Sequence, residues 1–293
     1  MNRSTKILIT LAILLFVIPV GATVFYTLST SVDSKEYAES LKREGRDPEA
    51  QDHFLVTHKP GEFNNIHISS DEYSYVNLYL VENKDYAVKV DKKNEEHVVC
   101  SVDGSGGLKI ESKPGGRFSM LSIYVFGPKI NEVHLSNLQI GNLETNLDSL
   151  RIVGDRIANT IRFGENKKLE RLSLSLTNSN IDLGSGLENW APNELESLKV
   201  LSLKLDKSTL GLNTKNYHHI DAHLNNSGLS NIAFGHNAGD TGKYTIEDLK
   251  LTTTGNSRVE IDKGISINRI SGKLSDSTVT SLPISLLRNL INQ

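Results

Sequence analysis

Histidine and aspartate alternate over five residues in the second half of the chain, at His219, Asp221 and His223. Alternate residues of a β-strand point to the same face and lie about 6.6–7 Å apart, so these side chains would form one polar strip. Two imidazoles and a carboxylate are ligands that suit Zn²⁺ or another divalent cation. The sequence therefore offers one candidate metal site, for which the alternative is the solvated outer face of a strand, and it predicts no cofactor.

Two glycine-containing segments, 184–193 and 235–244, interrupt the regular pattern of the second half. Loops on a rigid scaffold are where binding residues concentrate. These loops supply four side chains that could form an aromatic and polar platform for a carbohydrate: Trp190, His236, Asp240 and Tyr244. The alternative is a pair of tolerated insertions, with Trp190 packed on the strand below.

The sequence gives little sign of catalysis. It contains no G-x-S-x-G, no phosphate-binding glycine loop and no H-E-x-x-H. Acidic residues expected on the outer faces of strands are scattered singly, at Asp182, Asp206, Asp221, Glu260 and Asp262. Cys100 alternates with Val98 and Val102 inside a strand, which indicates a buried structural thiol. We therefore predict a protein that is not an enzyme and has no catalytic residues.

The elements that would position these residues are β-strands. Beyond Phe54, apolar and polar residues alternate with a period of two, and glycine and asparagine clusters separate the runs. Five segments of the second half share one pattern, a strand, a polar turn that ends in serine, and a second short strand. The five serines, at intervals of 29, 19, 30 and 20 residues, are Ser179, Ser208, Ser227, Ser257 and Ser277.

The residues before the serines suit a tight turn. They are Asn178, Lys207, Asn226, Asn256 and Asp276. Asn and Asp tolerate left-handed backbone, and short hydroxyls can bond back to the chain. Similar turns between short strands favour an all-β parallel β-solenoid (β-helix), in which successive coils stack about 4.8 Å apart around an apolar interior. A leucine-rich repeat is the alternative, although its consensus places the turn residues differently.

The chain ends of this predicted domain have their own patterns. Residues 283–293 have helical spacing of apolar residues and would form a C-terminal capping helix or tail over the last coil of a solenoid domain at 54–282. Residues 29–53 are rich in charged helix formers, with Gly45 and Pro48 as breakers, and predict a polar stalk or linker.

The N-terminal segment predicts a membrane anchor. Residues 7–28 carry no charge and at about 1.5 Å per residue are long enough to cross a bilayer. Arg3 and Lys6 precede this segment, so the positive-inside rule leaves residues 1–6 in the cytoplasm and places the C-terminal domain in the periplasm or outside the cell. The expected location is the inner (cytoplasmic) membrane with a single pass, and the alternative is a cleaved secretory signal, which would permit surface exposure.

The composition excludes several classes of protein. With a net charge of −3 the chain lacks the basic surface typical of nucleic-acid binding, so no nucleic-acid partner is predicted. A single cysteine excludes an internal disulfide framework and a multi-cysteine zinc site.

Residues 61–68, 76–78, 85–90 and 107–110, together with the later serine-containing repeats, resemble the head GIN domain. This family is labelled as auto-transporter adhesins and is common in envelope proteins of Bacteroidetes. The resemblance covers about residues 54–280, although residues 71–75 depart from the small glycine-rich turn expected there. It implies an extracytoplasmic β-solenoid and transfers no functional residues.

The sequence thus predicts a membrane-anchored, extracytoplasmic module that binds a glycan or an envelope protein, as an adhesin or scaffold would. The main alternative is a carbohydrate-active enzyme, a lyase or hydrolase, on the same scaffold, and a third is a passive structural spacer that binds no ligand.

Overall fold

A computed structural model describes residues 15–23, 39–41, 43–50, 53–114, 120–130, 132–163, 168–183, 197–212, 215–231, 244–261, 265–282 and 284–291. The chain divides into two compact units, Met1–Arg43 and Glu44–Gln293. In the first unit residues 15–23 are helical. Across the described ranges, no helix has the length and apolar character needed to cross a membrane. The other residues of the predicted 7–28 span lie outside the described ranges.

The second unit is built mainly of β-strands, which confirms the all-β prediction. The strands in its described part are β1 (Leu55–His58), β2 (Asn65–Glu82), β3 (Ala87–Asp91), β4 (Val98–Val102), β5 (Gly107–Ser112), β6 (Leu121–Gly127), β7 (Glu132–Thr145), β8 (Ser149–Phe163), β9 (Arg171–Thr177), β10 (Asn180–Leu183), β11 (Val200–Asp206), β12 (Thr209–Gly211), β13 (Tyr217–Asn225), β14 (Gly228–Asn231), β15 (Tyr244–Thr254), β16 (Arg258–Ile261), β17 (Ile265–Lys273) and β18 (Val279–Thr280). A 3₁₀ helix spans Lys92–His97 and a C-terminal α-helix spans Ile284–Ile291.

Parallel strands of the second half stack in two series. The first stack contains β9, β11, β13, β15 and β17, and the second stack contains β10, β12, β14, β16 and β18. Both stacks continue into β8, which pairs with β9 through its first half and with β10 through its second half. The long strands β2 and β7 also contribute to both stacks. We call the bend between the two strands of each repeat the corner.

The sheet is mixed, so the prediction of parallel strands throughout residues 54–282 holds only in part. β1 pairs antiparallel with β3, β3 with β6, and β4 with β5. The β4–β5 pair shows the reason, because only four residues, 103–106, connect the two strands, and a parallel pair needs a much longer crossover. The sequence contained this signal at Asp103, whose carboxylate accepts hydrogen bonds from the N–H groups of Ser105 and Gly107.

The core lies on the inner face of both stacks. In β11, Leu201, Leu203 and Leu205 are at most 2% exposed, and the residues between them are not buried. Leu203 lies in register with Leu174 of β9 and Ala222 of β13. Because every inner position repeats from strand to strand, each repeat buries its apolar residues against its neighbours, and a fully buried leucine contributes about 1.5–3 kcal/mol.

Serine hydroxyls connect successive corners. The N–H of Ser179 donates to Oγ of Ser208 over 3.0 Å, and the N–H of Ser208 donates to Oγ of Ser227 over 3.1 Å. The N–H of Ser227 donates to Oγ of Ser257 over 3.3 Å. These four serines are therefore aligned and buried, as their spacing predicts.

The fifth serine does not join this series. Ser277 is exposed, and the register of β16 with β18 places Thr278 opposite Ser257. The prediction was wrong by one residue because the last repeat has a different turn, in which the N–H of Ser277 donates to Oγ of Ser275.

The left-handed backbone expected before the serines is present at Asn178, Lys207 and Asn226, with φ values of 49°, 47° and 48°. In the repeat that carries one extra residue, Gly255 takes this conformation in place of Asn256. The corner also exists in two earlier repeats that lack serine, at Asn137 and Arg156.

The compact second unit begins before the predicted boundary at residue 54. Glu44 is 1% exposed, and its Oε2 accepts hydrogen bonds from the N–H groups of His53, Phe54 and Leu55. A Cβ on Gly45 would lie 2.0 Å from the ring of Tyr124, so this glycine permits close approach to β6. The end of the predicted polar stalk, 29–53, therefore includes residues that are packed in the compact second unit. At the other end, Leu286, Leu287 and Leu290 of the C-terminal helix pack against the core.

Candidate binding groove

A polar groove of about 450 Å³ lies on the outer face of the first stack, across β9, β11, β13 and β15. Its lining residues are Ser175, Leu176, Thr177, Lys204, Leu205, Asp206, His223, Leu224, Asn225, Thr252 and Thr254. The leucine side chains are buried in the core, so these residues contribute backbone to the groove floor. The remaining side chains, all polar, form two rows that run across the strands.

The first row consists of Ser175, Lys204, His223 and Thr252, which are in register on adjacent strands. Neighbouring strands lie about 4.8 Å apart, so the row presents one polar group per strand. Nε2 of His223 lies 3.2 Å from Oδ1 of Asp221 on the same strand. The side chains of Ser175, Lys204 and Thr252 have no hydrogen-bond partner within the described part of the chain.

The second row consists of Thr177, Asp206, Asn225 and Thr254, next to the corner. Nδ2 of Asn225 donates to Oδ1 of Asp206 over 2.7 Å, and Oγ1 of Thr254 donates to Oδ1 of Asn225 over 2.9 Å. Because the side chains of Asp206, Asn225 and Thr254 are hydrogen-bonded to one another, this part of the row is fixed in position before any ligand binds, which lowers the entropic cost of binding.

The candidate metal residues His219, Asp221 and His223 all lie on β13, and His223 also lines the groove. Nδ1 of His219 lies 3.1 Å from Oδ2 of Asp248, whereas His223 is paired with Asp221. Asp221 also lies 3.1 Å from Nζ of Lys250. The two imidazoles are thus engaged with different carboxylates, and within the described ranges no three potential ligand side chains gather around one point. The zinc site stays a prediction.

The candidate loop platform lies largely outside the described residues. Trp190, His236 and Asp240 fall there, and Tyr244 is the first residue of β15, where it packs against the core. A carbohydrate site formed by these four residues therefore stays a prediction.

Other residues singled out from the sequence occupy structural positions. Cys100 is half-buried on β4 and packs against the core, and burial raises the pKa of its thiol to about 12. This thiol is protonated at neutral pH and is a poor nucleophile. The carboxylate of Glu260 pairs with Arg258, and Asp262 lies outside the described residues.

A second cavity of about 280 Å³ lies at the turns that follow β6 and β7 and includes Lys129, Asn146 and Lys168. Most of its lining residues come from connecting segments, and at the rim the N–H of Glu82 donates to Oδ1 of Asn146. We regard the larger groove as the better candidate because a rigid sheet carries it.

This groove was not predicted from the sequence, although a signal was present. In the repeats of Ser179, Ser208 and Ser227 the first-row residue precedes the serine by four positions and the second-row residue by two. Reading each repeat for its outward residues, as well as for its inward ones, would have aligned Ser175, Lys204 and His223.

No family model matches the chain, and no curated protein matches it. Among solved structures, the chain is similar to a protein of Parabacteroides distasonis provisionally named as lipid-binding, at 13% identity over 78% of this chain and 94% of that chain, with a TM-score of 0.39. It is also similar to a provisionally named adhesin of Parabacteroides merdae, at 13% identity over 78% and 96% of the two chains, with a TM-score of 0.37. A provisionally named adhesin of Parabacteroides distasonis has 12% identity over 77% and 95%, with a TM-score of 0.34.

Proposed function

We propose that this protein is a non-catalytic binding module of the cell envelope that holds a glycan in the polar groove. The observation that carries the proposal is the pair of in-register polar rows on one rigid face. Sugars present alternating hydroxyl donors and acceptors, and the rows offer hydroxyls, an amide, a carboxylate and a cation within one cavity of about 450 Å³.

The rigidity of this face supports a binding role. The first stack pairs in register from β9 to β17. Its inner strands pair on both sides; β13, for example, pairs with β11 and with β15 along most of its length. From this register and the regular serine intervals we infer that the repeats wind as a parallel β-solenoid. Such a scaffold holds its outward side chains at fixed spacing and gives an extended surface for a chain-like ligand.

The proposed location rests on the sequence. We propose that residues 7–28 anchor the chain in the inner membrane, with Arg3 and Lys6 on the cytoplasmic side and the β-rich unit outside the cytoplasm. Glycans are abundant in that compartment, so the ligand class and the location agree.

The proposal is tested with the full chain purified in detergent micelles. We expect it to bind members of a glycan panel on an array and in calorimetry, with no released product detected by mass spectrometry. Asn225→Ala removes the amide that connects Asp206 to Thr254 and should weaken binding about fivefold or more.

Ser173→Ala is the matched control, because Ser173 lies outward on β9 but does not line the groove. It should leave the affinity unchanged. Cleavage of a bound glycan would replace the proposal with a carbohydrate-active enzyme, and failure to bind any glycan would refute it.

A further inference from the structure

We propose that the ligand of the groove is an acidic sugar chain, one that bears a carboxylate or a phosphate, and that Lys204 binds the anionic group. This inference rests on the proposed function and adds the chemical class of the ligand.

Two observations together single out Lys204, its lack of a carboxylate partner and its position in the groove. Several cations on or beside the outer face of the first stack lie close to a carboxylate: Nε of Arg151 is 3.2 Å from Glu132, Nζ of Lys199 is 3.2 Å from Glu170, Nζ of Lys250 is 3.1 Å from Asp221, and a terminal nitrogen of Arg269 is 3.9 Å from Asp248. Lys204 is exposed and has no carboxylate within 4 Å in the described part of the chain, and the same holds for Arg171 and Lys273. Among the described residues, Lys204 is the only lysine or arginine that lines the groove.

The nearby carboxylates are already engaged. Asp206, two residues along the same strand, accepts the hydrogen bond from Asn225. Asp221 lies 3.2 Å from His223 and 3.1 Å from Lys250. The ammonium group of Lys204 is therefore available to an anion from outside, and a groove wall shields such a pair from solvent more than an open surface does.

The groups around Lys204 fit the uncharged part of a sugar. The side-chain hydroxyls of Ser175, Thr177 and Thr252 have no hydrogen-bond partner within the described ranges. Ser175 and Thr177 lie on β9, next to β11, and Thr252 lies on β15, beyond β13. A sugar whose anionic group contacts Lys204 therefore has hydroxyl partners in both directions along the groove. A neutral sugar would leave the lysine without a partner, and the acidic sugar is favoured for that reason.

The test compares sugars that differ only in charge. Oligogalacturonate and its methyl ester share one backbone, and an oligosaccharide of phosphomannan and its dephosphorylated form make the second pair. With the full chain in detergent micelles, calorimetry should show that at least one acidic sugar binds about fivefold or more tightly than its neutral partner. The difference should shrink as salt concentration rises.

Lys204→Met keeps an unbranched side chain, one atom shorter, and removes its charge, and it should abolish the preference for the acidic sugar. Lys273→Met is the matched control, because Lys273 lies in the same row on β17 but does not line the groove. It should keep the full preference.

The two proposals fail in different ways. Equal affinity for the acidic and neutral members of both pairs, or equal loss of preference in both lysine variants, overturns the assignment of an acidic ligand while glycan binding stands. Absence of binding to every sugar overturns both. A preference within only one pair supports the inference and identifies the anion as carboxylate or phosphate.

Discussion

At the residue scale, each serine hydroxyl of the corners serves two backbone groups. Oγ of Ser208 accepts the N–H of Ser179 over 3.0 Å and donates to the carbonyl of Asp206 over 2.8 Å. The second bond holds the chain in the turn, and the first joins one repeat to the next. A buried backbone donor without a partner is costly, so the series of serines contributes stability that packing of leucines alone would not give.

Ser208→Ala should therefore lower the free energy of unfolding by about 1–3 kcal/mol, because it leaves the buried N–H of Ser179 without an acceptor. Urea denaturation followed by circular dichroism measures this change. Ser202→Ala, on the outer face of β11 in the same repeat, should cost less than about 0.5 kcal/mol. Equal effects of the two substitutions would show that the hydroxyl series does not stabilise the corner.

A second residue-scale feature is a stacked pair of histidines. The rings of His67 and His134 lie 4.4 Å apart at an angle of 19°. Burial, and then the neighbouring His134, lower the pKa of His67 from its ordinary value of 6.5. The other charged groups that act on His67 are Asp103 and Glu132, which raise its pKa, and Lys109, which lowers it.

The lowered pKa of His67 predicts how stability changes with pH. Between the ordinary value of 6.5 and the lower value in the folded protein, the unfolded chain binds the proton more readily. The contribution of His67 is thus constant above pH 6.5, and the free energy of unfolding falls as the pH drops through this interval. His67→Gln should make urea midpoints less dependent on pH between about 7 and 5.

The control for this pH dependence is His97→Gln, since His97 lies in the 3₁₀ helix beside Glu96 and away from the stacked pair. It should keep the wild-type slope. An unchanged slope in His67→Gln would mean that the stacked pair does not titrate as expected.

At the scale of elements, the corner depends on one residue in left-handed backbone per repeat. Asparagine and glycine tolerate this conformation, but Lys207 and Arg156 adopt it as well, with φ values of 47° and 51°. Left-handed backbone costs an ordinary residue about 1–2 kcal/mol. The stacked strands on both sides of the corner therefore impose a conformation that the side chain disfavours.

Replacing Lys207 by glycine should relieve this cost and raise the free energy of unfolding by about 0.5–1 kcal/mol, after the greater entropy of an unfolded glycine is subtracted. Ser202→Gly, in β11 of the same repeat, should lower the free energy of unfolding by about 0.5–1 kcal/mol, since only the entropic term acts there. The midpoints of urea denaturation show whether each variant is more or less stable than the wild type. A destabilised Lys207→Gly would show that the side chain contributes contacts that outweigh the backbone strain.

At the scale of the whole β-rich unit, two different segments of the chain cover the outermost strands. The segment that contains Glu44 packs at β1 and on β6, and Nζ of the fully buried Lys89 on β3 donates to the carbonyl of Ala50. At the C-terminal side, the helix Ile284–Ile291 packs against the core. Stacked repeats need such covers, because an open end exposes both apolar side chains and unpaired backbone groups.

Glu44→Ala should lower the free energy of unfolding by about 2–3 kcal/mol, because three backbone N–H groups lose a charged acceptor. Glu49→Ala removes a carboxylate from the same segment, but one that is exposed and pairs with Lys59 at the surface, so it should cost less than about 1 kcal/mol. Denaturation in urea measures the free energy of unfolding of both variants. Equal stability of the two variants would show that the segment containing Glu44 does not stabilise the β-rich unit.

Much of the fold was predictable from local pattern. The period of two identified strands such as β9 and β11, and the serine intervals identified four of the aligned corners, because the inner position and the turn must recur in every repeat. The earlier corners at Asn137 and Arg156 escaped notice because a leucine and an isoleucine follow them in place of serine. The antiparallel pairing of β1, β3 and β4 was not predicted, since alternation does not specify the direction in which a neighbouring strand runs.

The sequence by itself determined which residues face the core, where the chain turns and that the strands are the main element, because each of these depends on neighbours along the chain. Only the tertiary structure decided which outward side chains meet. Lys204 and Asn225 lie 21 positions apart in the sequence yet line one groove, while His219 and His223, four positions apart, pair with different carboxylates. The physical reason is that strand register, which sets these contacts, comes from stacking of whole repeats and not from the local sequence.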